Sequence, residues 1–170
     1  GSSYDALIEA LSEYAKAESV RLTFPEGTTA IAIAQKMEQA GLCTAKEFLE
    51  EANTGDFSEY TFWQYVPDDT DAPDRFLKCE GYLFPDTYQF YMGDDPENVI
   101  DKFLRNFDNK FTSDLYDALD ALNDRLAQRM RENAFTETEI TDAKLSLYDL
   151  ITVASLVEKE TARTSESATI

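Results

Sequence analysis

With 170 residues, 43% of them apolar and including 11 Phe and 9 Tyr, the chain can build one ordinary domain, or one small and one partial domain. Its net charge of −19, from 34 acidic and 15 basic side chains, repels nucleic-acid phosphates and anionic membrane surfaces, so neither is an expected partner. Histidine is absent, which removes Ser–His and Cys–His nucleophile pairs and His-based zinc sites and leaves acid–base chemistry to carboxylates, Tyr or Lys.

Residues 4–18 read as a short helix with Leu7, Leu11 and Tyr14 on one face and Ser3 at its start. Residues 20–24 alternate apolar and polar side chains and read as a strand. Pro25-Glu26-Gly27 is a turn. Thr28 or Thr29 then caps a helix running to Ala40, with Ile33, Met37 and Ala40 inward and Gly41 closing it. Thr44 and Glu47 have capping-box spacing and open a second helix carrying Phe48 and Leu49.

Residues 56–79 read as irregular, and 66–74, with two prolines and four aspartates, as an exposed loop and a candidate boundary. Phe57, Tyr60, Phe62, Trp63 and Tyr65 before it either line a sugar site or fill the core, and base rates favour the core. Cys43 and Cys79 read as two small buried thiols, with a disulfide as the other reading.

Tyr82, Phe84, Tyr88 and Phe90 alternate like a strand, interrupted by Pro85-Asp86, so an edge strand or two short strands are expected. Gly81 suggests a close backbone approach. Asp95-Pro96 opens a helix whose apolar face is Val99, Ile100, Phe103, Leu104 and Phe107. A further helix from about Ser113 is expected to turn Leu115, Leu119, Leu122, Leu126 and Met130 inward. Asn133-Ala134-Phe135 breaks it. Thr136 with Glu139, and Ser146 with Asp149, cap the two helices that follow.

The last helix carries the most informative position. Leu147, Ile151 and Ala154 form one stripe, and its next members are Val157 and Glu158, so a carboxylate stands where the pattern asks for an apolar residue. Half-buried carboxyls hold their protons more readily, because desolvation disfavours the anion, and a proton held near neutral pH is what a general acid needs. The alternative is that Glu158 ends an amphipathic helix and points to water. Glu160 falls on a neighbouring line with Val153 and Leu156. No Gly-rich phosphate loop and no repeat is present, two cysteines make no metal cluster, and no cofactor or metal is expected. No apolar run is long enough to span a bilayer and no signal peptide is visible, although Gly1-Ser2 resembles a cloning scar and an upstream segment is compatible with it.

Two stretches, Glu80-Gly81-Tyr82-Leu83-Phe84-Pro85-Asp86-Thr87-Tyr88 and Ala154-Ser155-Leu156-Val157-Glu158-Lys159-Glu160-Thr161, resemble in order and separation the signature blocks of the MltG (YceG-like) endolytic murein transglycosylase family. The Pro25-Glu26-Gly27-Thr28 turn and its following helix resemble the segment that precedes the catalytic part there. The resemblance implies an α+β fold: a small strand–helix–helix unit adjoining a LysM-like domain, then a largely helical partial catalytic domain with a short strand pair. Residues 1–18 would be the tail of the LysM-like domain, 19–72 the strand–helix–helix unit and acidic loop, and 73–170 the partial catalytic domain.

It further implies a bacterial enzyme that cuts nascent peptidoglycan strands internally, between MurNAc and GlcNAc, leaving a 1,6-anhydro-MurNAc end. A single-pass membrane anchor outside this chain would hold the catalytic part outside the cytoplasmic membrane. The family's catalytic Glu matches Glu158. Glu80 and Asp86 would line the groove, polarise the acid or cap backbone amides, with turn chemistry the favoured role for Asp86. Tyr82 and Tyr88 would stack on sugars or fill the core, Ser155 would lie beside the acid, and Glu160 with Lys159 would tune Glu158 or be solvated. A strand-rich half is expected beyond residue 170, so the chain reads as a truncated fragment whose activity in isolation is open. The competing reading is a non-catalytic peptidoglycan-binding or scaffold module that contacts cell-wall synthases; the binding version requires Trp63 exposed on a groove.

Overall fold

The computed structural model describes Tyr4 and residues 19–67 and 77–167, the side chains of 159 and 161–167 excepted. The expected helix over 4–18 lies outside the described residues, Tyr4 apart, as does most of the loop over 66–74.

The fold is α+β. Strand β1 (Ser19–Thr23) is followed by helices α1 (Ala30–Gln39) and α2 (Ala45–Thr54). Thr29 caps α1 by accepting from the Ala32 N–H, and Gly41 follows it. At α2 the Thr44 hydroxyl accepts the Glu47 amide at 3.2 Å and the Glu47 carboxylate accepts the Thr44 amide at 2.9 Å, a complete capping box. Residues 61–65, expected to be irregular, form one 3-10 turn.

Strand β2 (Thr87–Tyr91) is shorter than the alternation predicts. Tyr82 and Phe84 belong to turns, because Gly81 at φ +89° and Pro85 end any ladder there. The partner of β2 is β1, antiparallel, with Ser19 opposite Tyr91 and Thr23 opposite Thr87. A further bond from the Phe24 N–H to the Asp86 carbonyl, 2.9 Å, carries the pairing to the ribbon's end. The turn leaving β1 and the turns entering β2 are thereby brought side by side.

Helix α3 (Pro96–Lys110) packs on this ribbon through Phe103 and buries the five residues its pattern predicts. Phe103 is fully buried, its ring 4.4 Å from Tyr88 and 5.1 Å from Phe24 between centroids. Burial of such a ring contributes about 1.5–3 kcal/mol. The early aromatics complete the same core: Phe57 meets Trp63 at 5.3 Å, and Phe62 stacks on Tyr82 at 5.4 Å. Tyr60 donates to Asp101, and burial first, then that contact, pushes its phenol up to about 12. No disulfide joins Cys43 and Cys79; Cys79 is buried and Cys43 half-buried.

Helix α4 (Ser113–Glu132) departs from expectation. Its leucine stripe is not an inward face: Leu115 is 42% exposed and Leu122 37%. Only the first half meets the core, through Tyr116 and Leu119, so a helical-period stripe existed without an element to cover all of it. The buried residue is Asn123. Its amide donates to the Leu145 carbonyl at 3.0 Å and accepts the Leu145 N–H at 2.8 Å. Ala134, at φ 64°, breaks the helix where expected. Helix α5 (Glu137–Asp142) starts with the Thr136–Glu139 box, and α6 (Leu147–Ser167) starts where Ser146 and Asp149 satisfy each other's amides at 2.8 and 3.1 Å.

Candidate active site

Helix α6 is seated by its first half. Leu147 is buried and Ile151 partly so, whereas Val153, Leu156 and Val157 are more than half exposed. The stripe Leu147, Ile151, Glu158 therefore faces inward and Ala154, at the stripe's margin, does not. Gly81 explains the approach at Ile151: a Cβ there would lie 2.8 Å from the Ile151 Cγ2, too close for any real side chain.

Along this inward face runs an open cleft of about 640 Å³. One wall is the turn leaving β1, with Phe24, Glu26, Gly27, Thr28 and Thr29. The second is the segment entering β2, with Glu80, Gly81, Leu83 and Pro85. The third is α6, with Tyr148, Ile151, Thr152, Ser155, Leu156 and Glu158. Ile33 of α1 lies among the apolar lining residues. Among the described residues, the charged ones lining the cleft are all carboxylates: Glu26, Glu80 and Glu158.

The two central carboxylates are held differently. Glu80 accepts the Ala30 N–H, at 3.1 Å to one oxygen and 3.4 Å to the other, at the first turn of α1. It thereby caps the start of α1 while lining the cleft, and a carboxylate at a helix N-terminus is favoured by the dipole. Glu158 is half-buried, and among the described residues no hydrogen bond or ion pair holds its carboxyl. It rests against Gly27, where a Cβ would lie 3.3 Å from its Oε1.

Of the other expected site residues, Ser155 lines the cleft, but its hydroxyl donates to the Ile151 carbonyl at 2.9 Å within the helix. Glu160 is exposed and does not line the cleft. Tyr82 is fully buried against Phe62 and Phe107 and presents no face to a ligand. Tyr88 is a core residue; its phenol donates to the Phe84 carbonyl at 2.6 Å, and burial pushes it up to about 12. Asp86 accepts the Thr87 amide at 2.7 Å and the Asn106 side chain at 3.0 Å, which together hold it below the usual carboxylate range, and it too is outside the cleft. Trp63 is 9% exposed, so the open aromatic platform required of a sugar-binding module is not present there.

Glu26, Gly27 and Tyr148 are cleft residues that sequence reasoning passed over. The signal for the first two was the Pro25-Glu26-Gly27-Thr28 turn, noted but given no chemical role. Among the described residues no cluster of acidic or cysteine side chains is arranged to hold a metal ion, and no helix is long and apolar enough to cross a membrane. An acidic cleft with partly apolar walls, holding a carboxyl that no hydrogen bond or ion pair among the described residues engages, suits an uncharged, hydroxyl-rich substrate and proton transfer to it.

The chain matches the YceG-like family over residues 1–170. It is 26% identical over 168 residues to a Bacillus subtilis protein named endolytic murein transglycosylase, covering 94% of this chain and 39% of that one. It is 31% identical over 156 residues to a Streptococcus pneumoniae serotype 2 protein of the same name, covering 85% of this chain and 24% of that one. A solved yceG-like protein from Listeria monocytogenes shares the fold, with TM-score 0.51 and 19% identity, over 78% of this chain and 47% of its own. The chain thus spans less than half the length of each.

Proposed function

The chain belongs to the YceG-like family, and from that premise we propose that it carries the acid-bearing part of an endolytic peptidoglycan lytic transglycosylase, with Glu158 as general acid and base. The observation that supports this most is the Glu158 carboxyl itself: half-buried at the cleft wall, uncommitted to any hydrogen bond among the described residues, and opposite a Glu80 that is already occupied as a helix cap.

The chemistry needs one such group. Glu158 protonates the oxygen between MurNAc and GlcNAc as the bond breaks and an oxocarbenium-like centre develops. The resulting carboxylate takes the proton from the C6 hydroxyl of the same MurNAc while that oxygen closes on C1. The product is a 1,6-anhydro end, and no water has to be held, unlike two-carboxylate hydrolysis. General acid–base help of this kind is worth about 10²–10⁴-fold. The apolar lining from Pro85, Ile151 and Leu156 offers surface for sugar faces, and Glu80 orders another wall of the cleft.

The reading places the chain in the cell envelope, outside the cytoplasmic membrane and anchored to it by a segment beyond this chain. Glycan strands are its substrate, and cell-wall synthases are the proteins it would work beside. The test is Glu158→Gln in the full-length protein, assayed on glycan strands with mass detection of anhydro ends. Cleavage is expected to vanish while the melting temperature stays within about 2 °C, the change of a surface-like substitution. Undiminished cleavage rejects the assignment.

A further inference from the structure

The Glu158 carboxyl is half-buried, yet nothing polar among the described residues orients it. An acid that must reach one glycosidic oxygen needs its geometry set by something, since misplacement by about 1 Å costs on the order of 10²-fold in rate. The nearest thing to a support is Gly27.

Two features coincide at that residue. Gly27 is the third residue of a tight turn in which the Thr28 N–H bonds the Pro25 carbonyl at 3.3 Å, and the Thr28 hydroxyl donates to the same carbonyl at 2.5 Å. Its φ is +75°, the left-handed value that such a turn demands at its third position and that glycine adopts without strain. The turn alone therefore explains a glycine. It does not explain why the open side of that glycine points at the acid. A Cβ would lie 3.3 Å from Oε1 and 3.8 Å from Cδ of Glu158. The first distance is tighter than ordinary contact, so a methyl group there would displace the carboxyl by a few tenths of an ångström.

Helix α6 carries a matching contact two turns earlier, where Gly81 receives Ile151. Ile151 and Glu158 lie seven positions apart on one face. The helix is thus docked at two glycines, one from each of the facing walls, and the second dock holds the reactive group.

We propose that Gly27 is a positioning residue for Glu158: its missing side chain fixes where the carboxyl sits in the cleft. This role rests on Glu158 being the acid. Gly93 supplies the control, because its φ is +88° and a Cβ there would meet nothing within 4 Å. Gly93→Ala imposes the backbone strain without touching the acid.

The experiment compares Gly27→Ala, Gly27→Asn, Gly93→Ala and Glu158→Gln in the full-length protein, measuring kcat, KM and melting temperature on defined glycan strands. Asn tolerates the left-handed region better than Ala, so it relieves strain while keeping a side chain against the carboxyl. The expected result is that Gly27→Ala and Gly27→Asn both lower kcat by about 4–10-fold with KM changed less than about twofold, that Asn melts higher than Ala, and that Gly93→Ala keeps wild-type kcat.

If Gly27→Asn recovers kcat along with stability, or if Gly27→Ala matches Gly93→Ala in kcat, the turn matters only for folding and the positioning role is overturned. Should Glu158→Gln itself retain full activity, the acid assignment fails first. A variant of Gly27 too unstable to assay is replaced by Gly27→Ser, which is held to the same outcome.

Discussion

Asn123→Ala tests how α6 is held at its beginning. The Asn123 side chain is the only polar one buried among the described residues, and it makes both of its bonds to one residue, Leu145, two positions before the helix starts. Each bond contributes about 1 kcal/mol, and Leu145 is only half-buried, so water recovers part of what its amide and carbonyl lose. The expected cost is about 2 kcal/mol, which for a chain of this size lowers the melting temperature by roughly 4–8 °C. Urea and thermal unfolding followed by near-ultraviolet dichroism measure it. Asn123→Asp sharpens the reasoning: the carboxylate still accepts the Leu145 N–H but sets an acceptor against its carbonyl. The carbonyl favours the protonated carboxyl and so raises its folded pKa above the unfolded value of about 3.9; the deficit relative to wild type is therefore expected to shrink as pH falls from neutral towards about 4 and to change no further below it. A melting temperature for Asn123→Ala within about 1 °C of wild type would refute the claim that this pair anchors α4 to the start of α6.

Two further outcomes are expected. Thr44→Ala removes the hydroxyl from a complete capping box and should cost about 1 kcal/mol, roughly 2–4 °C, by thermal melting, while the cleavage proposed for the full-length protein is expected to be unaffected because α2 does not line the cleft. Tyr60 and Tyr88 both titrate at about 12 in the folded chain against about 10 when unfolded. Their folded pKa values are raised, so the stability they add is complete below about pH 10 and is lost as pH rises through about 12. Urea midpoints across that window should fall, and the double variant Tyr60→Phe, Tyr88→Phe should flatten the fall.

Local chemistry was the legible part of this chain. Capping boxes at Thr44 and Thr136, the Asp95-Pro96 start and the apolar face of α3 are all written within a few neighbouring residues, and each forms as read. What the pattern could not convey is which surface meets which. The leucines of α4 have helical spacing but lack a full partner, and Asn123 looks from its neighbours like a polar residue on an outer face. The aromatics of the Glu80–Tyr88 block had two readings because a ring that stacks on a sugar and one that fills a core leave the same letter. Packing against α3 and the 3-10 turn assigns Tyr82 and Tyr88 to the core. At the cleft, the stripe on α6 pointed to Glu158 because an acid interrupts it. The contact between Gly27 and Glu158 escaped notice because it spans more than a hundred residues, and no local period records that.

The same long reach governs when the cleft can exist. Two of its walls extend from one end of the β1–β2 ribbon, whose terminal threonine hydroxyls meet at 2.8 Å although they are 64 residues apart. Closing such a loop is entropically slow compared with winding α3 or α4, which need only near neighbours. Helices can therefore mature while the ribbon is still open, and during that interval Glu158 has no wall to lean on and no groove to serve. The cleft is therefore a product of long-range closure: until the ribbon pairs, two of its three walls are not in place.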